Sequence, residues 1–143
     1  MIGRSFRGIV AAATIVVVAF DIVASLASKS LGFSYTNAVA GSILLYLTIG
    51  YFLARTATGR RVAAGMAIVG AADATVGWWF SWVIGPGRAR NGVLSLSEFS
   101  VVALSVIALA VIFGSLGGIF GKHSRPDFQS SASSPDTSNT RTD

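Results

Sequence analysis

The run from Val62 to Ile84, VAAGMAIVGAADATVGWWFSWVI, is long and apolar, yet carries an acid, Asp73, near its middle. As a helix rising about 1.5 Å per residue it reaches roughly 34 Å, enough to cross a hydrocarbon core about 30 Å thick. Trp78, Trp79 and Trp82 gather at its C-terminal end, where indole rings suit the bilayer interface as an aromatic belt. At 100° per residue, Met66, Val69, Gly70, Val76, Gly77 and Phe80 share the Asp73 side, while Ala64, Ile68, Ala71, Thr75, Trp78 and Trp82 lie opposite, toward lipid. Gly70 and Gly77, a turn either side of Asp73, allow another backbone to come close, so the acid is expected to face protein.

Three further apolar runs extend this pattern. The expected fold is an all-α integral membrane protein, a four-transmembrane-helix antiparallel bundle with spans at about 8–28, 36–54, 62–84 and 97–120. Only 12% of residues are charged and 52% are hydrophobic, against about 25% charged in a soluble domain. Positions 1–121 therefore read as one transmembrane domain, and no segment is long enough for a separate soluble catalytic domain. From Lys122 to Asp143 the composition turns polar, which predicts a disordered cytoplasmic tail.

Orientation follows from Lys and Arg. Arg4, Arg7, Arg55, Arg60, Arg61, Lys122, Arg125 and Arg141 fall on one side of the expected bundle, and Lys29, Arg88 and Arg90 on the other. The positive-inside bias places both termini in the cytoplasm, in a cytoplasmic (inner or cell) membrane. The net charge of +5 is thus assigned to topology, and nucleic acid is not an expected partner. Arg4 and Arg7 before the first run, with Ser25-Leu26-Ala27 near its end, imitate a signal peptide. The run is longer than a usual signal core and holds Asp21, so it is read as a retained span.

In the first span Asp21 shares a face with Thr14, Val17, Val18, Ser25 and Ser28. In the second, Asn37, Gly41, Thr48 and Tyr51 form the expected inward stripe, with Tyr46 pointing the other way as a packing or interface residue. Gly85-Pro86-Gly87 ends the third span. The fourth begins near Ser97 and Glu98, serine being a suitable N-cap. Gly114 and Gly118 continue a small-residue ridge from Ala110, a pattern for close helix packing.

A carboxylate near the bilayer centre costs at least about 2.5–3.5 kcal/mol unless it is protonated, hydrogen-bonded or paired with a cation. No Lys, Arg or His is expected at the depth of Asp21, about 10 Å below the outer surface, or Asp73, about 16 Å below it. If the two acids meet they can share a proton. The candidate proton or cation site is Asp21, Asp73, Ser25, Asn37 and Glu98. The helix-packing residues are Gly70, Gly77, Gly114 and Gly118.

The chain has no cysteine, which removes disulfide, thiol and thiolate-metal chemistry, and His123, its one histidine, reads as an interfacial residue rather than a metal ligand. No metal centre or cofactor is expected, and no nucleophile–base pair points to an enzyme. The leading expectation is a non-enzymatic accessory or structural subunit, packing through small-residue helix faces in the lipid bilayer as a homo-oligomer or within a larger membrane complex. The alternative is a small proton- or cation-coupled transporter or channel using Asp21 and Asp73.

In size and span number the chain resembles the small multidrug resistance transporters, four-helix proteins with one acid in the first span. Asp21 is the position that carries over, and the resemblance implies proton-coupled cation export. The aspartate in place of glutamate, the second acid Asp73 and the strong charge bias depart from that pattern.

Overall fold

The computed structural model describes residues 6–32, 37–85 and 95–123. They form four helices, α1 (Phe6–Leu31), α2 (Ala38–Ala54), α3 (Gly59–Ile84) and α4 (Leu96–His123), with no strand among the described residues. By length and composition α1, α3 and α4 are able to cross a membrane, and α2 is a shorter apolar helix of 17 residues. Arg4, Thr36, Pro86, Gly87, Arg88, Arg90 and the tail from Ser124, with Arg125 and Arg141, lie outside the described residues.

Local chemistry sets the helix ends. Gly32 (φ 70°) follows α1 and Gly85 (φ 121°) follows α3, each in a backbone region that only glycine enters without strain. α4 starts earlier than expected, because its cap is Ser95 and not Ser97. The Glu98 amide donates to Ser95 Oγ (3.3 Å), and the Ser95 amide donates to Glu98 Oε2 (2.8 Å). This Ser-x-x-Glu reciprocal cap satisfies amides that a helix start otherwise leaves unpaired. At the other end α4 continues through Lys122 and His123, the first residues assigned to the tail.

The most intimate packing joins α4 to α2 and α3. A Cβ added at Gly50 would overlap the Gly114 carbonyl, and one at Gly117 would overlap that of Leu47. On the α3 side, a Cβ on Gly70 would stand 2.8 Å from Ala110 Cβ and 3.0 Å from Ile107 Cα, while Gly114 faces Met66. Ala110, Gly114, Gly117, Gly118 and Gly121 are all buried, so the small edge of α4 is occupied within the chain. Leu53, Met66, Val17 and Val69 fill the core between these backbones. α1 lies along α3, touches α2 more lightly and brings its backbone close to α4 nowhere among the described residues.

The outside is apolar too. Ile15, Val23, Leu44, Ile68, Val101, Leu104 and Phe120 are exposed on all four helices, the reverse of a water-facing surface and suited to lipid.

These approaches differ in tolerance. Gly50→Ala meets backbone, which no rotamer change relieves, and should cost about 1–3 kcal/mol. Gly118→Ala would meet Ala54 Cβ at 3.4 Å and Val62 Cγ1 at 3.5 Å, ordinary contacts, and should stay within about 0.5 kcal/mol of the parent. Denaturing-detergent titrations of the two variants in micelles measure the difference.

Candidate functional site

The site is built around a local change of helix type. From Asp73 to Gly77 α3 is a π turn, in which the Trp78 amide donates to the Asp73 carbonyl five residues back. Thr75 Oγ1 donates to the Ala71 carbonyl at 2.7 Å, a side-chain bond that competes with the regular helical ladder and favours the wider turn. A π turn holds one residue more than an α turn, so everything after it lags by about one position, roughly 100°. The inward face of α3 consequently runs Val62, Gly65, Met66, Val69, Gly70, then Asp73, Ala74, Gly77 and Ser81.

This lag overturns part of the helical-wheel reading. Val76 and Phe80 were placed beside Asp73, yet Val76 is exposed and Phe80 only partly covered. Ser81 takes the direction Phe80 would have had, and is fully buried. Trp78, placed opposite Asp73, swings round to line a cleft with it and packs on Phe99 of α4 at a ring separation of 5.3 Å. Trp79 and Trp82 remain exposed.

Asp21 from α1 and Asp73 from α3 come together at Gly77. A Cβ on that glycine would collide with Asp21 Oδ2 and stand 3.0 Å from Asp73 Oδ1. The two carboxylates are 5% and 8% exposed. Gly77 therefore makes room for both acids. It packs against a charged side chain rather than a helix backbone.

The third member is one the sequence reading turned away from the centre. Tyr46 of α2 is buried and its hydroxyl donates to Asp73 Oδ2. The buried face of α2 is Tyr46, Ile49, Gly50, Leu53 and Ala54; of the expected stripe, Gly41 packs on Phe20 of α1, Tyr51 is partly buried, and Asn37 and Thr48 are exposed. Thr48 is exposed because its hydroxyl is satisfied by the Leu44 carbonyl within its own helix, at 2.8 Å. Tyr51 is partly buried, with the Arg55 guanidinium 5.5 Å over its ring. The usable signal was the spacing Tyr46, Ile49, Gly50, Leu53, one face of a helix with a glycine where α4 comes closest.

Beside the acids lies a cleft of about 210 Å³, bordered by Asp21, Asp73, Trp78, Ser42, Val102 and Val106 among others. It is partly open and mainly apolar. Ser25, one turn beyond Asp21, and Ser81, one turn beyond Gly77, are completely buried, and neither hydroxyl has a hydrogen-bond partner. Ser25 thus belongs with the acids by position. Asn37 is exposed at the start of α2, and Glu98 is exposed and engaged in the α4 cap, so neither joins them. No cluster of three or more His, Asp or Glu that could hold a metal occurs among the described residues.

The chain matches no family model, no curated protein and no solved structure. Its chemistry is read from this geometry alone.

Tyr46→Phe tests the centre directly. It keeps the ring but removes a buried donor to Asp73, and should destabilise the fold by about 1–3 kcal/mol. Thr48→Val, on the exposed side of the same helix, should change stability by less than about 0.5 kcal/mol in the same unfolding assay.

Proposed function

We propose that this chain is a small proton-coupled carrier, a membrane-embedded antiparallel four-helix bundle with both termini on the cytoplasmic side. Its working group is the Asp21–Asp73 pair. The observation that carries the reading is the meeting of two buried carboxylates at Gly77, beside a cleft that reaches both. Two carboxylates buried this close are tolerated only with a shared proton or a cation between them, and the cleft gives either one a route in and out. Tyr46 holds Asp73 through one oxygen and leaves the other directed toward the pair. The role is non-enzymatic and needs no cofactor.

The accessory-subunit reading rested on small residues offered to another chain. Gly70, Gly114 and Gly118 face residues of this chain and Gly77 faces the two acids, which favours the carrier over a subunit that packs through those glycines. The lipid bilayer is the partner that the exposed apolar side chains suit.

Infrared titration of the protonated carboxyl C=O band, with the protein in lipid nanodiscs and sodium-free buffer, tests the proposal. The band should rise and fall reversibly with pH, and Asp73→Asn and Asp21→Asn should each remove part of it. A carboxyl signal indifferent to pH would mean a sealed structural pair and would refute the carrier. Topology has its own check, since the chain has no native cysteine. A single cysteine at His123 should react with membrane-impermeant maleimide only from the cytoplasmic face.

A further inference from the structure

We propose that the Asp21–Asp73 centre also binds a dehydrated monovalent alkali cation, which exchanges with the shared proton and is held from above by the hydroxyls of Ser25 and Ser81. The inference rests on the pair being an ion-exchange site. It adds a ligand set that the acids alone do not define.

The placement of the serines follows from register. Near one end of the α1–α3 contact, a Cβ on Gly65 would touch Val10 and Phe6, and further along Gly77 meets Asp21. Val10 to Gly65 and Asp21 to Gly77 are offsets of 55 and 56 positions, so the two helices advance side by side in the same direction. The same offset sets Ser25 level with Ser81. α1 contacts the Trp78–Ile84 part of α3 as well as its π turn, and both serines are fully buried. Their hydroxyls therefore lie in the α1–α3 seam, one turn beyond the carboxylates.

A buried hydroxyl without a partner forfeits the hydrogen bonds it made in water, about 1–3 kcal/mol on protein scales. Serine commonly avoids this by bonding to a carbonyl of its own helix, as Ser42, Ser100 and Ser105 do here. Ser25 and Ser81 do not. Their oxygen lone pairs are available to a cation, beside the carboxylates of Asp21 and Asp73, of which Asp73 Oδ2 accepts from Tyr46. Hard oxygen donors of this kind suit alkali and alkaline-earth ions. Two oxygens from Asp21, one from Asp73 and two hydroxyls make at most five, fewer than the six to eight that Ca²⁺ takes.

Charge selects the monovalent ion as well. One Na⁺ entering for one H⁺ leaving keeps the charge of a water-poor site unchanged, whereas one Ca²⁺ entering for one H⁺ would shift it by a full unit. Among the described residues, the ionisable groups facing the centre are Asp21 from α1, Tyr46 from α2 and Asp73 from α3. α4 presents Val102 and Val106 to it, and Lys29 and Glu98 are exposed nearer the helix ends.

The test is to add NaCl at fixed pH to protein in nanodiscs, against N-methylglucamine chloride, while following the carboxyl band. Sodium should reduce the protonated band in a saturable way. Ser25→Ala and Ser81→Ala, each referenced to its own band in sodium-free buffer, should weaken the apparent Na⁺ affinity about tenfold or more. Thr48→Val, on the exposed side of α2 and outside the cleft, should behave as the parent. A band that titrates with pH but ignores Na⁺ would overturn the cation site and leave the proton reading standing. A sodium effect unaltered by both serine changes, or a stronger response to CaCl₂ than to NaCl, would also overturn it. A band that responds to neither pH nor Na⁺ would remove both.

Discussion

Two carboxylates buried against one another set the terms for the rest of this protein. An isolated charge of that kind is expelled from an apolar interior, and a pair is worse unless a proton, a cation or several donors accompany it. Asp21 and Asp73 are nonetheless nearly inaccessible, and the surrounding structure is arranged around them. Gly77 is bare where a methyl would strike Asp21, Tyr46 reaches across from α2, and the π turn brings the correct face of α3 inward. Changing any one of these alters how both acids are solvated.

The helices divide the labour. α2, α3 and α4 approach through glycine and alanine until backbones touch, which lets dispersion and packing hold apolar helices together where the hydrophobic effect gives little drive between them. That contact fixes where Tyr46 and Asp73 stand. α1 brings Asp21 and the serines to the same seam by side-chain packing along α3, with Val10, Ala13 and Val17 in the core.

Much of the scaffold was legible in the amino-acid sequence, since runs of apolar residues broken by glycine and proline report helix length directly. Asp21 and Asp73 stood out for a sound reason: a carboxylate in such a run demands an explanation. What a uniform 100° wheel does not contain is the π turn, so Trp78 was assigned to the outer side of α3 and Val76 and Phe80 to the inner one. A threonine followed by glycine next to a buried acid, as in Asp73-Ala-Thr-Val-Gly77, is a faint sign of such a turn. α2 failed differently. It is apolar almost all round, so its few hydroxyls were read as an inward stripe, although threonine can satisfy itself on its own helix and tyrosine cannot reach back to do so. Glu98 was misread because a local Ser-x-x-Glu cap accounts for it completely.

The distribution of contacts also constrains how an ion would reach the acids in the proposed exchange. Opening a path between α4 and its neighbours would separate backbones in van der Waals contact at Gly50, Gly114 and Gly117, and lose many small attractions together. α1 has no such bond to α4 among the described residues and only a light one to α2. Displacing it breaks the fewest close contacts. It carries Asp21, Ser25 and Ser28 along one buried face, so a small shift of this helix changes the distance between the carboxylates and between the serine hydroxyls together. The least constrained helix in the fold is thus the one that bears half of the proposed ion ligands, which is the arrangement an exchange site requires if access and binding are to be coupled.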